Sequence, residues 1–289
     1  MSIMNEQSGI LLFDKSEGRI SLKEELTLKK KLDLKKCGHL GTLDPFASGL
    51  LIIGVNKGTR VLGMFEEWRK TYIATIKLGE LTDTGDLTGN IVKTKEVSPH
   101  KKEEIENVLN SFLGKSKQIP PMYSALKRDG VPLYKLARDG IEVERKQREI
   151  DIKDIYLNEY DSINNTITFT ADVSKGTYIR TLGEDISTKL DELGHLIKLR
   201  RIKVGEFSIE QSKDFENISL EDLIPIHELF KEIPLIEITN PSIEKRVRNG
   251  SEIYFKSEHE KVFFTKDGED LAIYVRLDEQ KYKSVKQFA

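Results

Sequence analysis

The sequence holds a single cysteine, Cys37, so an internal disulfide is impossible and no thiolate cluster can close around zinc. Histidine is sparse and scattered: His39, His100, His195, His227 and His259 show no H-x-x-x-H or H-E-x-x-H spacing, so no metal site is expected. The G-x-x-x-x-G-K pattern of a phosphate-binding loop is missing, which argues against a nucleotide cofactor. No apolar run approaches the roughly 18 residues that a membrane helix needs. The opening MSIMNEQSG carries an acid and no basic leader segment. A soluble cytoplasmic protein with no membrane partner is the expectation. Sustained heptads and broad apolar stripes are also wanting, so a monomer is the default.

An excess of basic charge is missing too, with a formal net charge of −2. That would argue against a polyanionic partner if charge were spread evenly, but it is not. Leu26 to Leu40 holds Lys29, Lys30, Lys31, Lys35 and Lys36 against Asp33 alone, and Lys198 to Lys203 is basic without an acid. Gly205 to Asn240 carries nine acids against Lys213 and Lys231. A polyanion responds to the local field, screened over about 8–10 Å, and not to the total.

What is present is enough for a large core, since hydrophobic residues make up 38% and charged residues 33% of 289 positions. GILLFDK, LLIIGV and the alternating KTYIATIKLG read as strands, and Ser21 to Lys31 reads as a helix with Ser21 as N-cap. Gly58–Glu66 and Leu133–Arg138 suggest short helices, and Lys101–Phe112 an amphipathic one. EIDIKDIYLNEYD and TITFTADVSKG read as a hairpin, Tyr178–Leu193 as a helix closed by Gly194, and LIKLRRIKVGEFSI as a strand. A further helix is expected near Leu220–Phe230, and after Pro234 short strands suggest a small β-barrel. The class is α+β, with a mixed, mainly antiparallel sheet, flanking helices and an all-β appendage.

Candidate chemistry begins at GHLGTLDPFASGLL, where Asp44 stands before a proline and directly ahead of a core strand. Asp44 reads either as an ordinary turn acid or as a carboxylate nucleophile; both predict a turn. SKGTYIR places backbone N–H groups and Arg180 at a helix start, a weak anion-binding signal. Asp83 and Asp86 in TDTGD are too few for calcium and read as turn residues. Tyr72, Tyr123, Tyr134 and Tyr178 fit a core or a stacking platform for unpaired bases equally well.

The constellation is more specific than its parts. GHLGTLDPFASGLL resembles the nucleophile loop of the TruB family of pseudouridine synthases. RKTYIATIKLGELTDTGDLTG, QIPPMYSALKRDGVPLYKLARDGIEVERK, VSKGTYIRTLGEDI and GHLIKLRRIKVGEF resemble four more of its segments, in the family's order. One departure stands out: Asp14 to Ser21 reads DKSEGRIS where the family has D-K-P-x-G-x-[ST]-S, so Ser16 and Ile20 replace a proline and a hydroxyl residue.

The resemblance implies a pseudouridine synthase catalytic domain over residues 1–233, an RNA-contacting insertion at about 115–148, and a PUA-like RNA-binding domain over 234–289. It implies that a uridine in the T-loop of tRNA, at position 55, is turned into pseudouridine without metal or cofactor. Asp44 would be the nucleophile, poorly hydrated and held by Arg180. Tyr72 would stack on a flipped-out base, with Leu199 on the other side of the pocket and His39 in the space the base leaves or stacked on a neighbour. Arg200, Arg201 and the Lys29–Lys36 cluster would meet phosphates, and Lys15 and Tyr178 join the substrate-binding set. Two rival classes stand beside this. A non-catalytic tRNA chaperone would use the same fold, and a glycosidase would need a second carboxylate in a comparable loop.

Overall fold

The computed structural model describes residues 6–289, so the reading of the N-terminal segment falls mostly outside it. Strand β1 (Gly9–Lys15) leads into helix α1 (Ser21–Lys31), then β2 (Cys37–Leu40) and β3 (Ser48–Val55). Next come β4 (Lys70–Leu78), the short hairpin β5 (Glu80–Thr82) and β6 (Ile91–Thr94), α2 (Lys102–Asn110) and β7 (Gly114–Gln118). An excursion carries β8 (Lys127–Arg128), β9 (Val131–Pro132) and α3 (Leu133–Arg138). The chain returns as β10 (Arg148–Asp161), β11 (Thr166–Val173), α4 (Ile179–Lys189), β12 (Gly194–Val204), β13 (Phe207–Ser208) and β14 (Ile224–Pro225).

The main sheet runs β14-β1-β3-β12-β4-β11-β10-β7, with β2 added beside β3 and β13 beside β12. Its pairs are antiparallel except β3 with β12, joined in parallel at Arg200 with Ser48 and Arg201 with Gly49. That junction is where the Asp44 loop empties into the sheet. Alternation on β4 puts Tyr72, Ala74, Ile76 and Leu78 on one face, where they pack with Leu182 and Ile186 of α4 and Ile105 and Leu109 of α2. The excursion leaves at Gln118 and returns at Arg148, which are direct cross-strand partners, so it stands on the sheet edge like a flap on two pinned corners.

Several local expectations change. Ser21 is the first helical residue, not the cap; its hydroxyl is buried and bonded to Leu43 instead. Helix α4 stops at Lys189, because Asp191 takes the left-handed conformation and Glu192 N–H closes on the Ser187 carbonyl 2.8 Å away. Gly194 therefore opens β12, and a Cβ there would overlap the Ser187 side chain. The long strand to Ile209 folds back at Gly205 as the β12–β13 hairpin. The helix expected near Leu220–Phe230 is two short 3-10 turns parted by β14, where Pro225 offers no N–H and a fixed φ. Gly58–Glu66 is likewise covered by two 3-10 turns, Asn56–Arg60 and Leu62–Phe65.

The C-terminal part holds β15 (Leu235–Glu237), α5 (Pro241–Arg248), β16 (Ile253–Tyr254), β17 (Lys261–Lys266), β18 (Glu269–Arg276) and β19 (Lys281–Gln287). They pair in the order β15-β17-β18-β19-β16 around Val262, Phe264, Leu271, Tyr274 and Tyr282, the PUA-like half-barrel. Its other face is not free. Phe263, Ile273 and Phe288 pack into a core shared with Phe65, Ile226 and Phe230. Removing residues 234–289 is expected to expose that core, costing on the order of 5 kcal/mol or ~10 °C in Tm. Thermal unfolding of the truncated chain measures this, and an unchanged Tm would show the two parts to be independent.

Candidate active site

Between β2 and β3 the chain turns at Asp44-Pro45-Phe46-Ala47, with Ala47 N–H donating to the Asp44 carbonyl at 3.1 Å. Asp44 is thus the turn acid that local pattern suggests, with proline at the second position. Its side chain is not spent on that turn. Gly49, at φ +108°, lets the loop meet β12 where any Cβ would overlap the Arg201 backbone, and Gly41 turns at φ +69° over the Arg201 guanidinium.

Three buried groups clamp the loop from beneath. Ser21 Oγ donates to the Leu43 carbonyl (2.9 Å) and accepts from Leu43 N–H (3.0 Å). Arg201 donates Nε to the Leu50 carbonyl (2.8 Å) and Nη2 to the Gly41 carbonyl (2.9 Å). Lys15 Nζ reaches the carbonyls of Arg19 (2.7 Å), Ser16 (3.0 Å) and Pro45 (3.4 Å). It thereby ties the DKSEGR turn, which lacks its proline, to the Asp44 loop. Burial pushes the Lys15 ammonium down to about 8.

These contacts correct one assignment and narrow another. Lys15 is 0% exposed with its ammonium on three backbone carbonyls, so it holds the loop and does not meet substrate; Arg201, 1% exposed, holds the loop through Nε and Nη2 and also borders the cleft that Asp44 faces. Arg200 lies outside the cleft: it pairs with Asp14 at 2.7 Å and lines a separate groove with Glu210 and Asp214. The lysine cluster lies away from the cleft as well. Lys35 and Lys36 sit beyond the far end of β2, in a groove shared with Glu269 and Asp270.

Arg180, 4% exposed in its side chain, is the hub. Nε donates to Asp44 Oδ2 (2.9 Å) and Nη2 approaches Oδ1 (3.4 Å). Nη1 donates to the Thr84 carbonyl (2.7 Å) in the β5–β6 hairpin, and Nη2 to the Tyr123 carbonyl (2.7 Å) in the excursion. One guanidinium therefore gathers the Asp44 loop, the hairpin, the excursion and α4. Asp86 stands 3.7 Å from Nε and is itself buried. It accepts from the Thr88 hydroxyl (2.5 Å), Thr88 N–H (2.9 Å) and the Thr84 hydroxyl (3.0 Å). Read from sequence as a turn residue only, Asp86 is also the second carboxylate on the hub; its place in the matched TDTGD segment was the available signal.

Asp44 faces a cleft of about 730 Å³ that also takes in His39, Tyr72, Tyr178, Leu199 and the buried Lys70. Leu199 lies opposite Ala74, and Arg201 opposite Tyr72, so the tyrosine and leucine share one sheet face. Gln118 and Tyr178 exchange two hydrogen bonds, at 2.8 and 3.1 Å, which joins the base of the excursion to the cleft wall. Asp44 keeps 37% of its side-chain surface exposed, so it is not dry as expected; the cleft is open on the side where a ligand would enter. Enclosure by protein on the other sides still pushes its carboxyl above the ordinary value. Arg180 pulls it down and Asp86 pushes it up. Among the described residues no cluster could hold a metal, and no helix is long and apolar enough to cross a membrane.

The architecture has close counterparts. A chain of the Cbf5-Nop10-Gar1 complex superposes with a TM-score of 0.69 at 24% identity, covering 99% of this chain and 86% of that one. A chain of an H/ACA RNP bound to a substrate RNA containing 2′-deoxyuridine gives 0.66 at 20% identity, covering 97% and 85%. This is the pseudouridine synthase fold, an α+β mixed sheet with a PUA-like appendage. Sequence narrows it further. Residues 29–179 match the TruB family pseudouridylate synthase (N terminal domain). The chain is 40% identical over 245 residues to tRNA pseudouridine synthase B of Syntrophotalea carbinolica, 82% of this chain and 79% of that one. It is 48% identical over 206 residues to the protein of that name in Bordetella avium, 71% of this chain and 84% of that one. The chain belongs to the TruB family and is of the isomerase class.

Proposed function

We propose that this protein converts a uridine in the T-loop of tRNA, at position 55, to pseudouridine, with Asp44 as nucleophile. The observation that carries the reading is Asp44 at the floor of an open cleft with both carboxylate oxygens turned to Arg180. In the reaction the N1–C1′ bond of the uridine breaks and a C5–C1′ bond forms. N1 gains a proton and C5 loses one, so no redox partner is required. The carboxylate supplies the nucleophile that holds the detached fragment while the base turns. Arg180 keeps that carboxylate ionised and aimed.

A uridine inside a folded loop must be extruded, at a cost of a few kcal/mol. Tyr72 and Leu199, on one sheet face, give the extruded base two apolar walls, and Tyr72 also offers a hydroxyl for proton transfer. His39 at the rim fills the place the base leaves. Tyr178 borders the same space and couples it to the excursion, which we take as an arm closing over the T-arm. Residues 1–233 form the catalytic domain and 234–289 an RNA-binding appendage in this reading; the protein acts as a monomer in the cytoplasm. A chaperone alone would not need the Asp44–Arg180 pairing, and unfolding tRNA remains compatible with catalysis.

Incubating the protein with an unmodified tRNA transcript and mapping pseudouridine tests the proposal. One modified T-loop position, formed without added metal or nucleotide, is expected. An unmodified T-loop, or modification at scattered sites, overturns it.

A further inference from the structure

We propose that Glu25 is a positioning residue that locks the imidazole of His39 at the rim of the cleft. Ser21, Glu25 and Leu28 form the buried face of α1. A carboxylate at such a core-facing position is costly unless it is hydrogen-bonded, and it lies too far along the helix to serve as a cap. Its partners sit on β2, where Cys37 and His39 point to the same side by strand alternation. Glu25 Oε2 meets His39 Nδ1 at 2.5 Å, and Oε1 lies 3.5 Å from Cys37 Sγ. Burial, and next the Glu25 carboxylate, push the Cys37 thiol up to about 12, so that thiol is inert. The histidine is the one of the pair that matters.

The pairing decides what His39 can do. A carboxylate on Nδ1 requires a proton there, which directs the opposite ring edge to Thr42 Oγ1, 3.1 Å from Nε2. His39 and Thr42 both border the cleft that holds Asp44. With Glu25 10% and His39 14% exposed in their side chains, the ring is held from behind and presents one edge to the opening. A histidine that is already oriented enters the gap left by a displaced base without losing further rotamer freedom. This rests on the reading that His39 occupies that gap. Leucine is about as long, forms helix well and needs no hydrogen bond. A glutamate kept there at the expense of burial is therefore explained by its partner, not by packing.

The test compares the intact protein with Glu25→Leu and Glu25→Gln. Nitrogen-15 spectra of the free proteins read the His39 ring, and steady-state kinetics use an unmodified tRNA transcript. A bonded Nδ1–H signal is expected in wild type and in Glu25→Gln, whose amide oxygen also accepts, and not in Glu25→Leu. Glu25→Leu is expected to lose on the order of 10-fold in kcat/KM with Tm unchanged or higher, and Glu25→Gln to recover most of that loss. Wild-type kinetics in Glu25→Leu, beside an inactive Asp44→Asn, would overturn the positioning role and leave the assigned reaction standing. Equal losses in both variants with lowered Tm would also overturn it, as damage to the fold. Should even the wild type form no pseudouridine, the reaction assignment fails, and the ring spectra alone decide whether Glu25 holds the imidazole.

Discussion

Asp44→Asn forms no measurable pseudouridine, a loss of at least about 10⁴-fold in single-turnover rate, while its tRNA Kd stays near wild type. The substitution is nearly isosteric, and an amide oxygen still accepts from Arg180 Nε, so the loop should keep its shape. What disappears is the nucleophile. Stability separates this outcome from unfolding. The fold raises the Asp44 pKa, so the protonated form is the better accommodated. The favourable contribution of this group is complete at pH below its unfolded value and fades as pH climbs through the folded value. Above the folded value the ionised carboxylate, facing Asp86, is a net cost to folding, and asparagine relieves it. The Tm of Asp44→Asn should therefore equal or exceed that of wild type. Turnover near wild type would strip Asp44 of the catalytic role; lost tRNA binding with a lowered Tm would show a structural defect instead.

Legibility in the sequence followed how local each determinant is. Strands β3 and β4 were readable because buried alternation and apolar runs are written in consecutive residues. Asp44 was visible as a turn acid, but nothing within ten residues could show that its carboxylate turns to an arginine 136 positions later. Only the resemblance joined them. The same limit explains the errors. Arg200 and Arg201 were grouped as neighbouring cations, yet their guanidinium groups diverge, one to Asp14 and the other under the loop. Lys15 joined the substrate set through the resemblance of its segment alone, which says nothing of where the side chain points; three backbone carbonyls consume its donors. Gly194 resembled a helix stop because glycine commonly serves as one, and Asp191 took that conformation at φ +58° instead. Glu25 gave no signal at all, since a glutamate in a lysine-rich helix reads as solvent-facing until β2 is laid against it.

Arg180→Ala should damage both fold and chemistry, and Arg180→Lys should divide the two. Alanine leaves Asp44 and Asp86 without their shared cation, and the Thr84 and Tyr123 carbonyls without donors. Breaking a buried pair costs about 3–5 kcal/mol, and the low end applies because Asp44 is partly solvated while Asp86 is enclosed. Lysine restores the charge but brings one ammonium where a planar fork spans four partners. We expect Arg180→Ala to unfold well below wild type. Arg180→Lys should keep most of the Tm yet lose roughly 100-fold in single-turnover rate through misaimed attack. The acid limb of the rate profile gives a sharper reading. Activity requires ionised Asp44 and falls as pH drops through its pKa, which enclosure already raises and Arg180 restrains more than any other group. Weakening that restraint moves the limb to higher pH. Glu184, one turn further along α4, is pushed up to about 7 chiefly by burial, so the comparison belongs in a Glu184→Gln background. An Arg180→Lys limb that coincides with wild type, or an Arg180→Ala protein with unchanged Tm and rate, would remove Arg180 from the centre of the site.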